Sequence, residues 1–185
     1  MAKKILFLII ILLLLAGGGV FWWWQNQEDI RELNKNLPEG VRVAKNLKGE
    51  YWVVNRIDGY EFKVPDEWGG LREIEYIPER EEKGFRGSSI NIIGIKGEAR
   101  GGGIDRFKAE KEANLIAWAQ DMFNTVGLIG DFTPERVGNF EAIKTQENVH
   151  LLGMYMYFIK KEASVYTFTC GSEEYIREII ISGKW

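Results

Sequence analysis

The pattern of apolar and polar positions divides this chain into an unbroken apolar run and a longer mixed region. From Ile5 to Trp24 the sequence reads ILFLIIILLLL, then AGGGV, then FWWW, with Lys3 and Lys4 just before it. Twenty residues at helical rise span roughly 30 Å, the thickness of a bilayer's hydrocarbon core. Within a bilayer a helix satisfies every backbone polar group, so the run predicts a transmembrane helix over residues 5–24. From Gln25 to Leu37 the sequence is largely polar, with Ile30, Leu33 and Leu37 at three- and four-residue spacing, which predicts a short helix continuing from the membrane. Pro38-Glu39-Gly40 breaks it. The rest of residues 25–49 reads as a linker or stalk with one short strand at Val41–Ala44.

The folded domain is expected over residues 50–185, where strand and helix periods succeed one another. Tyr51–Ile57, the turn Asp58-Gly59, and the alternating Tyr60, Phe62 and Val64 predict a hairpin ended by Pro65. Arg72–Ile77 and Ser88–Lys96 read as further strands, separated by a charged loop over Pro78–Gly87. Gly101-Gly102-Gly103 then reads as a flexible connector before a long helix, Ile104–Phe123, with Asp105 as N-cap and Phe107, Leu115, Ile116, Ala119 and Met122 at helical spacing. Phe132–Val137 and Phe140–Gln146 form a second hairpin around Gly138-Asn139. Leu151–Ile159 and Ser164–Cys170 form a third around Lys161-Glu162-Ala163. Ser172 should cap a closing helix with Tyr175, Ile176, Ile179 and Ile180 on its buried face. Strands, a helix, more hairpins and a closing helix define an α+β class, an antiparallel sheet flanked by helices.

Charge orients the anchor. Two lysines precede the apolar run and Glu28 and Asp29 follow it, so residues 1–4 are expected in the cytoplasm and the C-terminal domain outside. Trp22, Trp23 and Trp24 fall at the far boundary, where indole rings favour the membrane interface. A cleaved signal peptide is the competing reading, with its apolar core at Ile5–Leu15 and a cleavage site among Ala16–Gly19. The aromatic cluster lengthens the segment to a full span and favours a single-pass anchor in the cell membrane. The chain carries net charge −3, and leaving out the two anchor lysines puts the exported part at −5. With no basic block, nucleic acid is not an expected partner. Cys170 is the only cysteine, which excludes an internal disulfide and suits a buried strand position.

The stretch Gly59–Trp68, GYEFKVPDEW, resembles the opening of PsbP-like domains, in which an aromatic strand runs into a proline and then a tryptophan. The end is similar too: Val165-Tyr166-Thr167-Phe168 closes a hairpin, and an acidic helix start leads into Ile176–Ile181. With the mid-chain helix the resemblance covers about Tyr51–Trp185. It implies the α–β–α sandwich shared by PsbP-like and Mog1-like proteins, and a non-enzymatic domain that docks on a membrane complex. Some relatives bind calcium or manganese, but their ligands have no matching positions here. The resemblance carries fold and docking to this chain, and not photosynthesis.

The search for chemistry yields few candidates. His150 is the only histidine, so a multi-histidine metal site is excluded, and no G-x-S-x-G elbow accompanies it. Glu79, Arg80, Glu81 and Glu82 mix signs without calcium-loop spacing and read as a solvated loop. Gly101–Gly103 with Arg100 lacks the companions of a phosphate loop, and Asp105 would oppose an anion there. Trp68, Trp118, Tyr155 and Tyr157 are candidates to line a ligand cleft, against the alternative that they are core. No catalytic residue, metal or cofactor is expected. The sequence points to a membrane-anchored binding module for a protein partner or envelope component. A small-molecule or lipid carrier is the alternative, and an envelope hydrolase ranks last.

Overall fold

Strand-forming residues dominate the part of the chain described by the computed structural model, residues 28–97, 101–128, 130–145 and 154–185. The expected anchor Ile5–Trp24 with its flanks Lys3, Lys4 and Trp22–Trp24, and His150, lie outside these residues. Among the described residues no helix is long and apolar enough to cross a membrane.

The elements in chain order begin with α1 (Glu28–Asn34), β1 (Val41–Lys45), β2 (Tyr51–Asn55) and β3 (Tyr60–Lys63). A 3-10 turn at Asp66–Trp68 leads to β4 (Leu71–Glu82), β5 (Phe85–Gly94), β6 (Gly101–Lys108) and α2 (Leu115–Val126). The chain continues through β7 (Phe132–Val137), β8 (Phe140–Thr145), β9 (Tyr155–Lys161), β10 (Ser164–Cys170) and α3 (Glu173–Ser182). Strands β1-β2-β3 form a small sheet, and β4-β5-β6-β10-β9-β8-β7 form a seven-stranded one. Every pairing is antiparallel. The class is therefore α+β, as expected, with three α-helices among the described residues.

The larger sheet has two unlike faces. On one face Ile90, Ile92, Ile104, Tyr157, Ile159, Tyr166 and Phe168 join Val43, Val53 and Phe62 of the small sheet and Ile176, Ile179 and Ile180 of α3 in the main core. On the other, α2 presses Ala119 and Phe123 onto Ile143, Phe158 and Val165, so it covers the β7–β10 half. Strand β6 lies mid-sheet and β7 at its edge, which makes α2 the connection that crosses this face. The β4–β6 half beside it stays open, with Glu73, Glu75 and Asn91 exposed on it.

Four expectations need correction. Residues 104–108 are strand, not the start of a helix. Ile104 faces the main core while Asp105 and Phe107 face the other way, a two-residue alternation that the helical reading overlooked. Helix α2 starts instead at Asn114, whose Oδ1 accepts from the Ala117 N–H at 3.0 Å. Gly101–Gly103 belong to β6, where a Cβ on Gly102 would lie 2.7 Å from the Thr169 carbonyl oxygen, so glycine permits the approach of β10. Pro78–Gly87 is mostly ladder: Arg80, Glu81 and Glu82 pair with Gly87, Arg86 and Phe85 around Lys83-Gly84, both at positive φ (52° and 83°). The proline sits where the register shifts between Ile77 and Arg80, on an edge strand that tolerates a missing N–H.

The stretch read as a stalk is largely folded. Ile30 is buried, β1 pairs with β2, and the Asn34 side chain donates to the Val43 carbonyl at 2.9 Å and accepts from its N–H at 2.6 Å. The hairpins β2–β3 and β7–β8 and helix α3 stand where the sequence put them, and the β9–β10 hairpin is described from Tyr155 onward. Ser172 is the residue before α3, but its side chain makes no capping hydrogen bond.

Candidate functional site

A cavity opens where the uncovered half of the sheet meets the side of α2. Its volume is about 260 Å³, and Phe85, Gly87, Ser89, Asp105, Phe107 and Met122 line it, with the charged β4–β5 tip above. Alternation along the strands puts Gly87 and Ser89 of β5 opposite Phe107 and Asp105 of β6, all on the open face. A Cβ on Gly87 would stand 2.6 Å from both the Arg106 carbonyl oxygen and the Phe107 ring, so only glycine leaves room for that ring against β5. Phe85 and Phe107 line the near wall and Trp118 packs against both, with ring centroids 5.4 to 6.3 Å apart.

Asp105 is the charge at this cavity's floor. Its two carboxylate oxygens accept from the Ser89 hydroxyl on one side and from the Thr167 hydroxyl, at 2.9 Å, on the other. Thr167 is 1% exposed, so that hydroxyl is held in place by packing. Among the described residues no lysine, arginine or histidine forms an ion pair with Asp105. Arg80 on the tip is answered by Glu82 at 3.4 Å.

A second, larger cavity of about 500 Å³ lies beside the β2–β3 turn, between Asp58, Arg106, Ser164, Tyr166 and Trp185. Here the charges are already matched. Arg106 Nη1 stands 3.5 Å from Asp58 Oδ1, and Asp58 is fixed in turn by the buried Asn55 side chain, which donates to it at 2.7 Å. Arg106 Nε is buried with no hydrogen-bond partner in the described residues, turned into protein rather than into the cavity. We read this group as the clamp between the small sheet and β6.

The candidates named from sequence do not meet at one cleft. Trp68 is fully buried in the main core, edge-on to Tyr175 at 5.8 Å, and its Nε1 has no hydrogen-bond partner among the described residues. Tyr157 is fully buried on the same side, its hydroxyl 2.7 Å from Glu173 and 3.1 Å from Glu135. Tyr155 packs partly buried against that core as well. Trp118 lies across the sheet, against the cavity wall. Burial, reinforced by the Glu173 carboxylate, pushes the Tyr157 phenol far up. The hydroxyl in turn holds Glu173 below the usual carboxylate range, with Lys144 adding to the effect. Glu135, Glu173, Lys144 and Arg177 form a charge-balanced network that ties α3 to β7 and β8. Cys170 is buried, and burial pushes its thiol up, away from reactivity.

Other features of the sequence fall outside the site. Glu79 is paired with Arg86 and Lys108, and no group of acidic, histidine or cysteine side chains that could hold a metal ion occurs among the described residues. Sequence reasoning missed Phe85, Ser89 and Thr167. The one signal available for Asp105 was its place between Ile104 and Phe107 in a run of alternating polarity. The geometry defines an α+β domain with one amphipathic cavity at the border of an open sheet face. Compared with known proteins, the chain matches no family model, no curated protein and no solved structure.

Proposed function

We propose that this chain is a membrane-anchored, extracytoplasmic binding module of the PsbP-like type, non-enzymatic, whose contact surface is the open half of the seven-stranded sheet. The observation that carries this is the uneven cover of one face: α2 packs over β7–β10 and leaves β4–β6 free, with a cavity at the border. A sheet face without a helix over it is available for a partner protein or an envelope component. The PsbP-like assignment draws support from the elements that carry the resemblance. GYEFKVPDEW becomes β3 and the turn that buries Trp68, Val165–Phe168 lies in β10, and Ile176–Ile181 lies in α3. Helices on both faces of an antiparallel sheet fit the α–β–α layering of that family. The anchor reading of Ile5–Trp24 rests on its length, its flanking lysines and its boundary tryptophans.

The test is photo-crosslinking in native membranes from two exposed positions. A crosslinker at Asn91, on the open half, should capture a defined adduct, while one at Arg42, on the small sheet, should not. No adduct from Asn91, or equal adducts from both, would sink the open-face reading. The cavity itself favours a second reading, a small-molecule carrier or sensor, because part of the surface is walled and concave. Asp105 with two hydroxyl donors lacks, among the described residues, a third group to pass a proton on, and we keep the hydrolase reading last.

A further inference from the structure

We propose that the cavity at the border of α2 takes a small organic cation, an alkylammonium group seated on Asp105 with its carbon stem against Phe85, Phe107 and Met122. The inference rests on the reading of the open half-face as the binding surface and names the chemistry of its occupant. Four observations converge on it.

First, Asp105 is a carboxylate with no ion pair among the described residues. Its neighbours in the fold are treated differently: Asp58 has Arg106, Glu79 has Arg86 and Lys108, and Glu135 and Glu173 share Lys144 and Arg177. A partly buried carboxylate beside apolar walls gains from an opposite charge close to it. Second, its orientation is preset. The Ser89 and Thr167 hydroxyls occupy one acceptor position on each oxygen, and a carboxylate oxygen accepts about two hydrogen bonds, so each oxygen keeps a position for an incoming N–H. Third, the walls suit a cation with an apolar stem. Phe85 and Phe107 offer ring faces or edges, and Met122 offers a polarizable, adaptable thioether. Fourth, at about 260 Å³ the cavity falls below the roughly 300–1,000 Å³ typical of drug-sized ligands, which selects a compact molecule.

The rim does not reverse this choice. Arg80, Glu82 and Lys83 line the outer rim, where Arg80 is paired with Glu82 and Lys83 is exposed to water, which weakens its field at the floor. Asp105, partly buried at the floor, is screened less and would repel an anion.

The test uses the full chain in maltoside micelles with ¹³C-methyl-labelled methionine, because Met122 stands in the wall. The probes are hexylammonium, hexanol and hexanoate, which share a stem and differ in head-group charge. Hexylammonium should shift the Met122 methyl with an affinity at least about tenfold above hexanol, as expected for a hydrogen bond to a charged group, and hexanoate should be weakest. Asp105→Asn, close to isosteric, should reduce hexylammonium to the level of hexanol and leave hexanol unchanged, with a thermal melt confirming the fold. The ranking on the unsubstituted chain stands even where that variant fails to fold. Equal shifts from hexanol and hexylammonium would overturn the cation inference while leaving the cavity a binding site. No Met122 shift from any probe would overturn both the inference and the use of this cavity.

Discussion

The two halves of the α2-side face are built from the same sheet and lead opposite lives. Over β7–β10 the inward residues are Phe132, Ile143, Phe158 and Val165, and α2 answers them with Ala119 and Phe123. Over β4–β6 the corresponding positions hold Glu73, Glu75, Ser89, Asn91, Gly103 and Asp105, which no helix could bury without stranding charge. The cover thus ends where charged and polar side chains begin to interrupt the apolar ones, Ile77, Ile93 and Phe107. The difference separates stabilising surface from available surface, and the cavity sits on the line between them.

The comparison can be broken most forcefully at the covered half. Phe123 is fully buried, with Phe132 at 5.0 Å and Phe158 at 6.1 Å between ring centroids, so Phe123→Ala should cost about 3–5 kcal/mol in urea unfolding. A loss under about 1 kcal/mol would mean that α2 is not held by this contact. At the border, Gly87→Ala forces a methyl against the Arg106 carbonyl and the Phe107 ring, with an expected cost of about 1–3 kcal/mol and a displaced Phe107 signal by NMR.

A smaller effect is expected on the opposite face, where Glu135, Glu173, Lys144 and Arg177 are paired. Glu173 has a folded-state value below its unfolded one, held there by the Tyr157 hydroxyl and then by Lys144. It therefore contributes stability above the ordinary glutamate range, and that contribution is lost as pH falls through the folded value. Glu173→Gln should cost up to about 1 kcal/mol near neutral pH, since the side chain is partly exposed and screened. The gap to the parent should close as the solution is acidified, and a gap that persists in acid would point to packing instead. The smallest effect belongs to the open half. Ser89→Ala removes a hydroxyl that water can replace at Asp105, and a change within about 0.5 kcal/mol is expected in the same unfolding assay. A loss several times larger would show the open half to be a stability element.

Legibility followed the reach of each signal. Helix α3 and the hairpins were readable because period and turn residues sit within a few positions of one another, as in Gly138-Asn139 between β7 and β8. Strand β6 was misread because Phe107 lies at a plausible helical offset from Leu115 and its real partners, Gly87 and Val165, are distant in sequence. The hairpin tip over Pro78–Gly87 hid behind its charges, which on an edge strand guard against pairing with other chains and do not mark a loop. Alternation could have put Asp105 on a strand, but not beside its partners. Its hydroxyl donors lie 16 and 62 residues away, on two other strands, and only the sheet's order brings them together.

The docking of α1 has a consequence for range of movement. Ile30 is buried and Asn34 is tied to Val43, so α1 is part of the folded body, and Ile30 stands six residues beyond Trp24 in sequence. At roughly 3.5 Å per residue, the proposed anchor would lie no more than about 21 Å from Ile30. A leash that short would hold the domain against the bilayer like a float on a taut line. It would sweep a thin layer beside the membrane, meeting partners embedded in that layer at high local concentration and those far from it hardly at all.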